Sequence, residues 1–386
     1  MLDFCDLIET SLRDVSTAPH RPAVIVVDEA QDLNRMQLTL TRRWSERAQY
    51  LVVAGDDDQA IYAWTGASPD AILDPDIPEN HKVILRQSHR LPRAVHRLAN
   101  TLIHRVARRQ EKLYLPRRED GAVERLSSGT YKSPGYFILS SAMKRLERGK
   151  KIMFLASCSY MLEPIIAVLR KNAIPFHNPY RKANGYWNPL RTGKRSTVSQ
   201  ILSLLVGHPD HGEDHRTWTC GDIAMWADLL SAKGILREGA QELFQTSEAK
   251  QPFPIDRLAE VFEPGALQSF RAAYQRGGPS LLEWWRARVA ADVQSRIRYA
   301  AELAARQGPH ALVEQPQVVV GTIHSVKGGQ ADVVYLFPDL SRAGDAQYQR
   351  FGPSRDSVIR LFYVGITRAR ETLYICQRES AMAVSI

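Results

Sequence analysis

Four β-branched residues in a row, Val24-Ile-Val-Val27, run straight into Asp28 and Glu29. A continuous apolar run this short reads as a strand buried on both faces of a parallel sheet. The carboxyl ends of such strands are where open α/β sheets place their ligands. Two adjacent acids there suit nucleotide hydrolysis. One holds the water shell of Mg²⁺, and the other takes a proton from the attacking water. On these residues alone a helix N-terminus is an equal alternative, because Asp and Glu are favoured in a first turn.

The run has successors. Tyr50-Leu-Val-Val-Ala54 ends in Gly-Asp-Asp-Asp-Gln59, and Lys82-Val-Ile-Leu85 leads into Arg86-Gln-Ser-His-Arg90 and a helix over 92–109. Lys151-Ile-Met-Phe-Leu-Ala156 is a further strand, followed by a helix over 163–171. A short amphipathic helix is expected over 1–17, broken by Pro19 and Pro22. Strands alternating with helices imply βαβ units and a parallel sheet. From about 180 to 312 strand signals vanish, and helical periodicity recurs over 229–236, 258–274 and 281–306. Strand patterns return at 317–320, 332–337 and 372–376, with a helix near 356–370. The sheet begun before the helical stretch is therefore expected to finish after it.

The 386 residues suffice for two or three domains. With 44% hydrophobic and 24% charged residues the composition is that of a globular protein. Lys and Arg outnumber Asp and Glu by 51 to 42, a net +9. That surplus favours an anionic partner, nucleic acid before membrane, since no basic amphipathic helix or long apolar run appears. It is also compatible with a merely soluble surface. Cys5, Cys158, Cys220 and Cys376 are scattered without paired spacing, which gives no zinc or disulfide framework and fits a reducing cytoplasm.

Five segments then fall in one order: Asp28-Glu-Ala-Gln-Asp32, Ala54-Gly-Asp-Asp-Asp-Gln-Ala-Ile-Tyr-Ala-Trp-Thr-Gly-Ala67, Leu85-Arg-Gln-Ser-His-Arg90, Gly321-Thr-Ile-His-Ser-Val-Lys-Gly-Gly329 and Tyr363-Val-Gly-Ile-Thr-Arg-Ala-Arg370. Together they resemble the UvrD/Rep-like helicases of superfamily 1, over nearly the whole chain outside the helical stretch. The resemblance implies an α/β fold with two RecA-like P-loop NTPase-type parallel-sheet domains, the first truncated, and a helical insertion in the second. The expected bounds are 1–80 for the first motor domain, 81–179 and 313–386 for the second, and 180–312 for the insertion.

The same resemblance implies ATP and Mg²⁺ as cofactors. Asp28 would ligate Mg²⁺, Glu29 would activate water, and Gln59 would sense the γ-phosphate, a task for which a carboxamide can both donate and accept. Arg90 and Arg368 correspond to the arginines that reach the γ-phosphate, where a forked permanent cation stabilises spreading charge. In so arginine-rich a chain, surface ion pairs would otherwise be the default for both. Tyr62 and Trp64 correspond to aromatics on which single-stranded bases stack, worth roughly 1–3 kcal/mol per base; core burial is the usual fate of a tryptophan. Thr322 and His324 correspond to contacts coupling DNA and nucleotide, and for His324 a structural role has nearly equal standing. In the insertion, Tyr186, Trp187, Trp218, Trp226, Trp284 and Trp285 lie among Arg181, Lys182, Arg191, Lys194 and Arg195. That mixture is compatible with a strand- or duplex-binding surface, although packing is the usual role of such tryptophans.

Three departures qualify the resemblance. His89 stands where the family usually stacks a tyrosine on adenine, and Gln330 where it commonly has an acid on the ribose. The family's Gly-x-x-x-x-Gly-Lys-[Ser/Thr] loop lies upstream of the acid pair; here 27 residues precede Asp28 and none is glycine. Thr192-Gly-Lys-Arg-Ser196 is only a partial imitation. The expectation is a 3′-to-5′ helicase or translocase on single-stranded or partly duplex DNA, cut off inside its first motor domain. Such a chain lacks robust ATPase activity unless a separate chain supplies the loop. The alternative is a catalytically silent DNA-binding or regulatory protein on the same scaffold, against which the intact Glu29, Gln59, Arg90 and Arg368 speak.

Overall fold

A computed structural model describes residues 3–73, 77–182, 185–231 and 233–386. The chain forms two compact units, Met1–Pro164 with Val320–Ile386, and Ile165–Val319.

In the first unit, β1 (Val24–Val27) pairs in parallel with β2 (Tyr50–Val53), Val24 opposite Tyr50 and Val26 opposite Val52. Helices Phe4–Asp14 and Arg35–Ser45 flank them. Each helix begins in a capping box, Asp3 with Asp6 and Asn34 with Gln37, which satisfies amides that the first turn leaves open. The expected burial of β1 on both faces is not found. Val24, Val26, Tyr50 and Val52 are 48%, 67%, 66% and 48% exposed, because this sheet is two strands wide among the described residues and nothing covers that face. The strand expected at 82–85 is also absent. That segment has no regular secondary structure and joins no sheet among the described residues, its nearest pairing being the single bridge Gln87–Leu115.

The larger sheet has six strands: β3 (Ala122–Arg125), β4 (Ile152–Ala156), β5 (Phe176–His177), β6 (Val318–Thr322), β7 (Ala331–Leu336) and β8 (Ala369–Ile375). Their order is β3-β8-β7-β4-β6-β5, and the pairing is parallel. Every residue of β4 is buried, as a central strand covered on both faces requires. Each large aliphatic side chain there contributes roughly 1.5–3 kcal/mol by burial. Helix Pro353–Ile366 leads directly into β8 and carries Arg368 just beyond its end.

The second unit is helical, apart from β5 and the first residues of β6. Its core is aromatic: Trp226 and Phe270 stack at 5.8 Å between centroids, with Phe262, Trp284 and Trp218 around them. Trp218 Nε1 donates to the carbonyls of Ser203 and Leu204, each at 3.0 Å, and Trp285 Nε1 to Trp226 O at 2.8 Å, whereas Trp226 Nε1 is buried without a partner among the described residues. These tryptophans are packing residues and not a nucleic-acid surface. Of the span 229–236, Ala232 lies outside the described residues and the others form turns and bridges in place of the expected helix, and the helix expected over 281–306 divides into Gly278–Arg286 and Ala291–Gln307. One cause serves both. Leu230 and Val289 form an antiparallel bridge, and Ala290 N donates to Leu229 O at 2.9 Å, which holds both segments out of helical conformation. Among the described residues no helix is long and apolar enough to cross a membrane.

Candidate functional site

At the end of β1 the backbone turns sharply, with Glu29 left-handed at φ 51°, ψ 40°. A side chain there costs about 1–2 kcal/mol relative to ordinary backbone. Glu29 N donates to Asp28 Oδ1 at 2.9 Å, while Gln31 Nε2 donates to Glu29 Oε2. The other end of the buried Gln31 amide accepts from Asp56 N at 3.0 Å. One glutamine therefore ties the acid pair to the loop after β2. Gly55 is required at that seam, since a Cβ there would collide with Gln31 Oε1 and stand 3.1 Å from Ala30 N.

Asp56, Asp57 and Asp58 bring carboxylate oxygens within 4.8 Å of one another, a spacing that could hold a metal ion. A protein cation already answers them. Lys112 Nζ lies 2.5, 2.7 and 3.1 Å from the three, and Arg109 grips Asp58 bidentately at 3.0 and 2.7 Å. Burial alone would push the Asp56 carboxyl up, yet Lys112 and the hydrogen bonds it receives leave it below its ordinary value. Burial would likewise lower Lys112, and the three carboxylates more than reverse this, holding it firmly charged.

The loop aims Gln59 through its own acid: Gln59 Nε2 donates to Asp56 Oδ2 at 2.7 Å. Its Oε1 accepts from Arg368 Nη2 at 3.2 Å, so the Gln59–Arg368 pair is formed across 309 residues of sequence. Arg368 is 1% exposed and also donates to the carbonyls of Val364 (2.9 Å) and Gly329 (3.2 Å). Arg90 follows a turn in which Ser88 Oγ accepts from Arg90 N and Leu91 N. Its Nε is buried with no hydrogen-bond partner among the described residues, a donor suited to an anion. Arg90 and the Asp56 and Asp58 carboxylates all act on the phenol of Tyr363, which burial pushes well above its ordinary value. His89 and Gln330 are exposed, and neither side chain is hydrogen-bonded among the described residues.

Beyond Gln59 the chain presents aromatics. Trp64 is 76% exposed, its ring 6.3 Å from that of Tyr62. The Tyr62 hydroxyl donates to His324 O at 3.1 Å, and the two rings are 6.1 Å apart. Thr322 is used locally, its Oγ1 accepting from Ser325 N at 3.2 Å and fixing the turn that carries His324. Lys327 closes this turn. Its Nζ lies 5.2 Å from the Tyr62 ring centroid, 2.5 and 2.7 Å from the Asp32 oxygens, and 3.3 Å from Glu29 Oε2.

Five residues of this site escape a motif-by-motif reading: Gln31, Asp32, Arg109, Lys112 and Lys327. Gln31, Asp32 and Lys327 stand inside recognised segments, so their place was visible but not their partners. Arg109 and Lys112 lie 51 and 56 residues from the acids they answer, with no local signal to mark them.

Residues 2–77 match the UvrD/REP helicase N-terminal domain family, and residues 317–376 match the UvrD-like helicase C-terminal domain family. Both matches support a UvrD/Rep-like helicase. It is 24% identical over 437 residues to the ATP-dependent DNA helicase PcrA of Staphylococcus aureus (strain Mu50). The same identity over the same length relates it to PcrA of Staphylococcus epidermidis (strain RP62A). Each comparison covers 99% of this chain and 59% of the relative, so the chain spans somewhat over half the length of these relatives. The parallel six-stranded sheet is of the RecA-like kind expected for that family.

Proposed function

We propose that this chain is part of an ATP-dependent DNA helicase or translocase that moves 3′ to 5′ on single-stranded DNA. The observation that carries the reading is the hydrogen bond between Gln59 and the buried Arg368, joined through Asp56 and Gln31 to Glu29. A carboxamide and a guanidinium that meet beside a strand-end carboxylate are the groups needed to sense and stabilise a transferring phosphoryl. In this reading Arg90 supplies the second cation, its unpartnered Nε awaiting a phosphate oxygen. His89 and Gln330, exposed and uncommitted, are free to meet a base and a ribose. Mg²⁺ fits Asp28, a hard oxygen donor at an exposed strand end. It fits the Asp56–Asp58 group poorly, since Lys112 and Arg109 already neutralise it. When bound, the ion would offset charge on the phosphates; Glu29 would orient and deprotonate water.

The exposed Trp64 with Tyr62 supports a stacking face for single-stranded bases, and Thr322 and His324 lie on the turn bonded to it. In the helical unit an open groove of about 830 Å³ is lined by Arg170, Lys171, Arg296, Arg298 and Arg306, with Glu302 as the acid among them. That cationic lining supports a phosphate backbone as its neighbour. The phosphate-gripping loop would be supplied outside residues 1–386, in cis or by another chain, and the setting would be the cytoplasm. ATP turnover with and without oligo-dT, on this chain and on one extended upstream, tests the reading. The extended chain is expected to hydrolyse ATP with DNA stimulation and to lose turnover in Glu29→Gln. Robust turnover by residues 1–386 alone would overturn the need for an outside loop.

A further inference from the structure

We propose that the helical unit holds a small-molecule site, a cavity that takes a single ring carrying a protonated amine. The cavity has a volume of about 190 Å³ and lies among helices Thr197–Leu205, Gly278–Arg286 and Ala291–Gln307 and the loop that carries Asp210. Its floor is apolar: Leu205, Leu282 and Ala304 are 5%, 1% and 5% exposed. Pro279 and Ala305 are exposed and form its rim. An aliphatic cavity of roughly 150 Å³ is enough to hold one benzene ring. None of these residues lines the basic groove of the same unit, so the two sites are separate.

One carboxylate borders the cavity, and the fold seats it with one oxygen used and the other open. Asp210 Oδ2 accepts from Gly278 N at 2.6 Å, at the start of helix Gly278–Arg286. Two glycines admit it: a Cβ on either Gly277 or Gly278 would stand 3.2 Å from Oδ2. The buried His208 pins the loop from its other side. Its Nε2 donates to Tyr274 O at 2.9 Å, and its Nδ1 accepts from Asp210 N at 3.1 Å. With both ring nitrogens committed in this way, His208 brings no proton to Asp210 Oδ2, which lies 3.5 Å from Nδ1. Among the described residues no side chain donates to Asp210 Oδ1, and no lysine or arginine pairs with the carboxylate. The helix N-terminus is thus already answered by an anion. A second anion gains nothing there and is repelled by Oδ1, which excludes a phosphate chain from this cavity. An ammonium donates to Oδ1 in a charge-assisted hydrogen bond, and a short link leaves its ring on the apolar floor.

The test is saturation-transfer NMR on the full chain with benzylamine as the probe, and with benzyl alcohol and benzoate as its neutral and anionic counterparts. Benzylamine is expected to saturate with a Kd of about 1 mM, ordinary for so few atoms. Ala305→Phe fills the cavity from its exposed rim and should abolish that signal. Circular dichroism checks that this variant folds, and Ala305→Leu replaces it if it does not. Asp210→Asn keeps an acceptor for Gly278 N and removes the charge. It should weaken benzylamine by about fivefold, as for a partly exposed ion pair, and change benzyl alcohol by less than about twofold. Benzoate should show no binding that Ala305→Phe removes. A benzylamine signal that fails to saturate by about 20 mM, or that survives Ala305→Phe unchanged, overturns the proposal. Benzylamine affinity untouched by Asp210→Asn, or benzoate bound as tightly in the same cavity, overturns it as well, since the ligand would not be chosen by its charge.

Discussion

At Lys112 a single ammonium answers three carboxylates, two of them 1% exposed, with Arg109 sharing Asp58. Removing one partner of such a cluster leaves uncompensated charge in a poorly hydrated place. Lys112→Met is expected to destabilise the first unit by about 3–5 kcal/mol, measured by urea denaturation. The sign of the pH dependence follows from Asp56, whose carboxyl lies below its ordinary value of 3.8 in the folded chain. Its contribution is present in full above that value and is lost as pH falls through the lower, folded one. Acid titration of the denaturation midpoint should therefore show a loss below about pH 4 that is smaller in Lys112→Met. Trp64 is the opposite kind of residue. With its ring 76% exposed, Trp64→Ala should leave stability within about 0.5 kcal/mol. The same change should weaken oligo-dT binding by roughly 5- to 150-fold, the equivalent of one stacked base.

Elements were legible where one period ruled a segment and its partners were near. The strands at 152–156 and 331–336 and the helix Glu163–Lys171 follow from apolar runs and spacing alone. The segment 82–85 has the same composition as a strand but pairs with none among the described residues, and a lone strand is not a structure. The break between Gly278–Arg286 and Ala291–Gln307 depends on a bridge to Leu230, and no local pattern announces a partner 59 residues away. The candidate site divides in the same way. Asp28, Glu29, Gln59, Arg90 and Arg368 could be named from their segments, whereas the cations that hold the Asp56–Asp58 loop could not. In the helical unit the helices are joined by tight aromatic contact, and Gly207 sits where any Cβ would run into the Trp218 ring. Gly207→Ala should cost about 1–3 kcal/mol by overpacking, or more if the indole cannot shift. Near-ultraviolet circular dichroism, dominated by that Trp cluster, would report the change, and an unaltered spectrum and melting point would contradict it.

The whole molecule carries a net charge of +9 and two features that act on its surroundings. The first is the basic groove of the helical unit together with the exposed aromatics of the first unit. Oligonucleotide affinity should fall linearly with salt on a logarithmic plot, each phosphate contact adding about 0.7 to the slope. An affinity insensitive to salt would mean that no backbone contact is made. The second feature is the open face of β1 and β2, where Val24, Val26, Tyr50 and Val52 stand in two exposed rows. Contiguous apolar surface on a short sheet favours association. Sedimentation velocity should show self-association that rises with concentration and recedes in a Val26→Lys, Val52→Lys double variant. Stability and chemistry also disagree at one position of the fold. Because residue 29 is held at φ 51°, Glu29→Gly should release about 1–2 kcal/mol of backbone strain, offset by the loss of the carboxylate that accepts from Gln31 and faces Lys327, so that the net change in stability is small. A screen for thermal resistance alone would therefore exert little pressure to keep glutamate at 29, although its loss removes the group proposed to activate water.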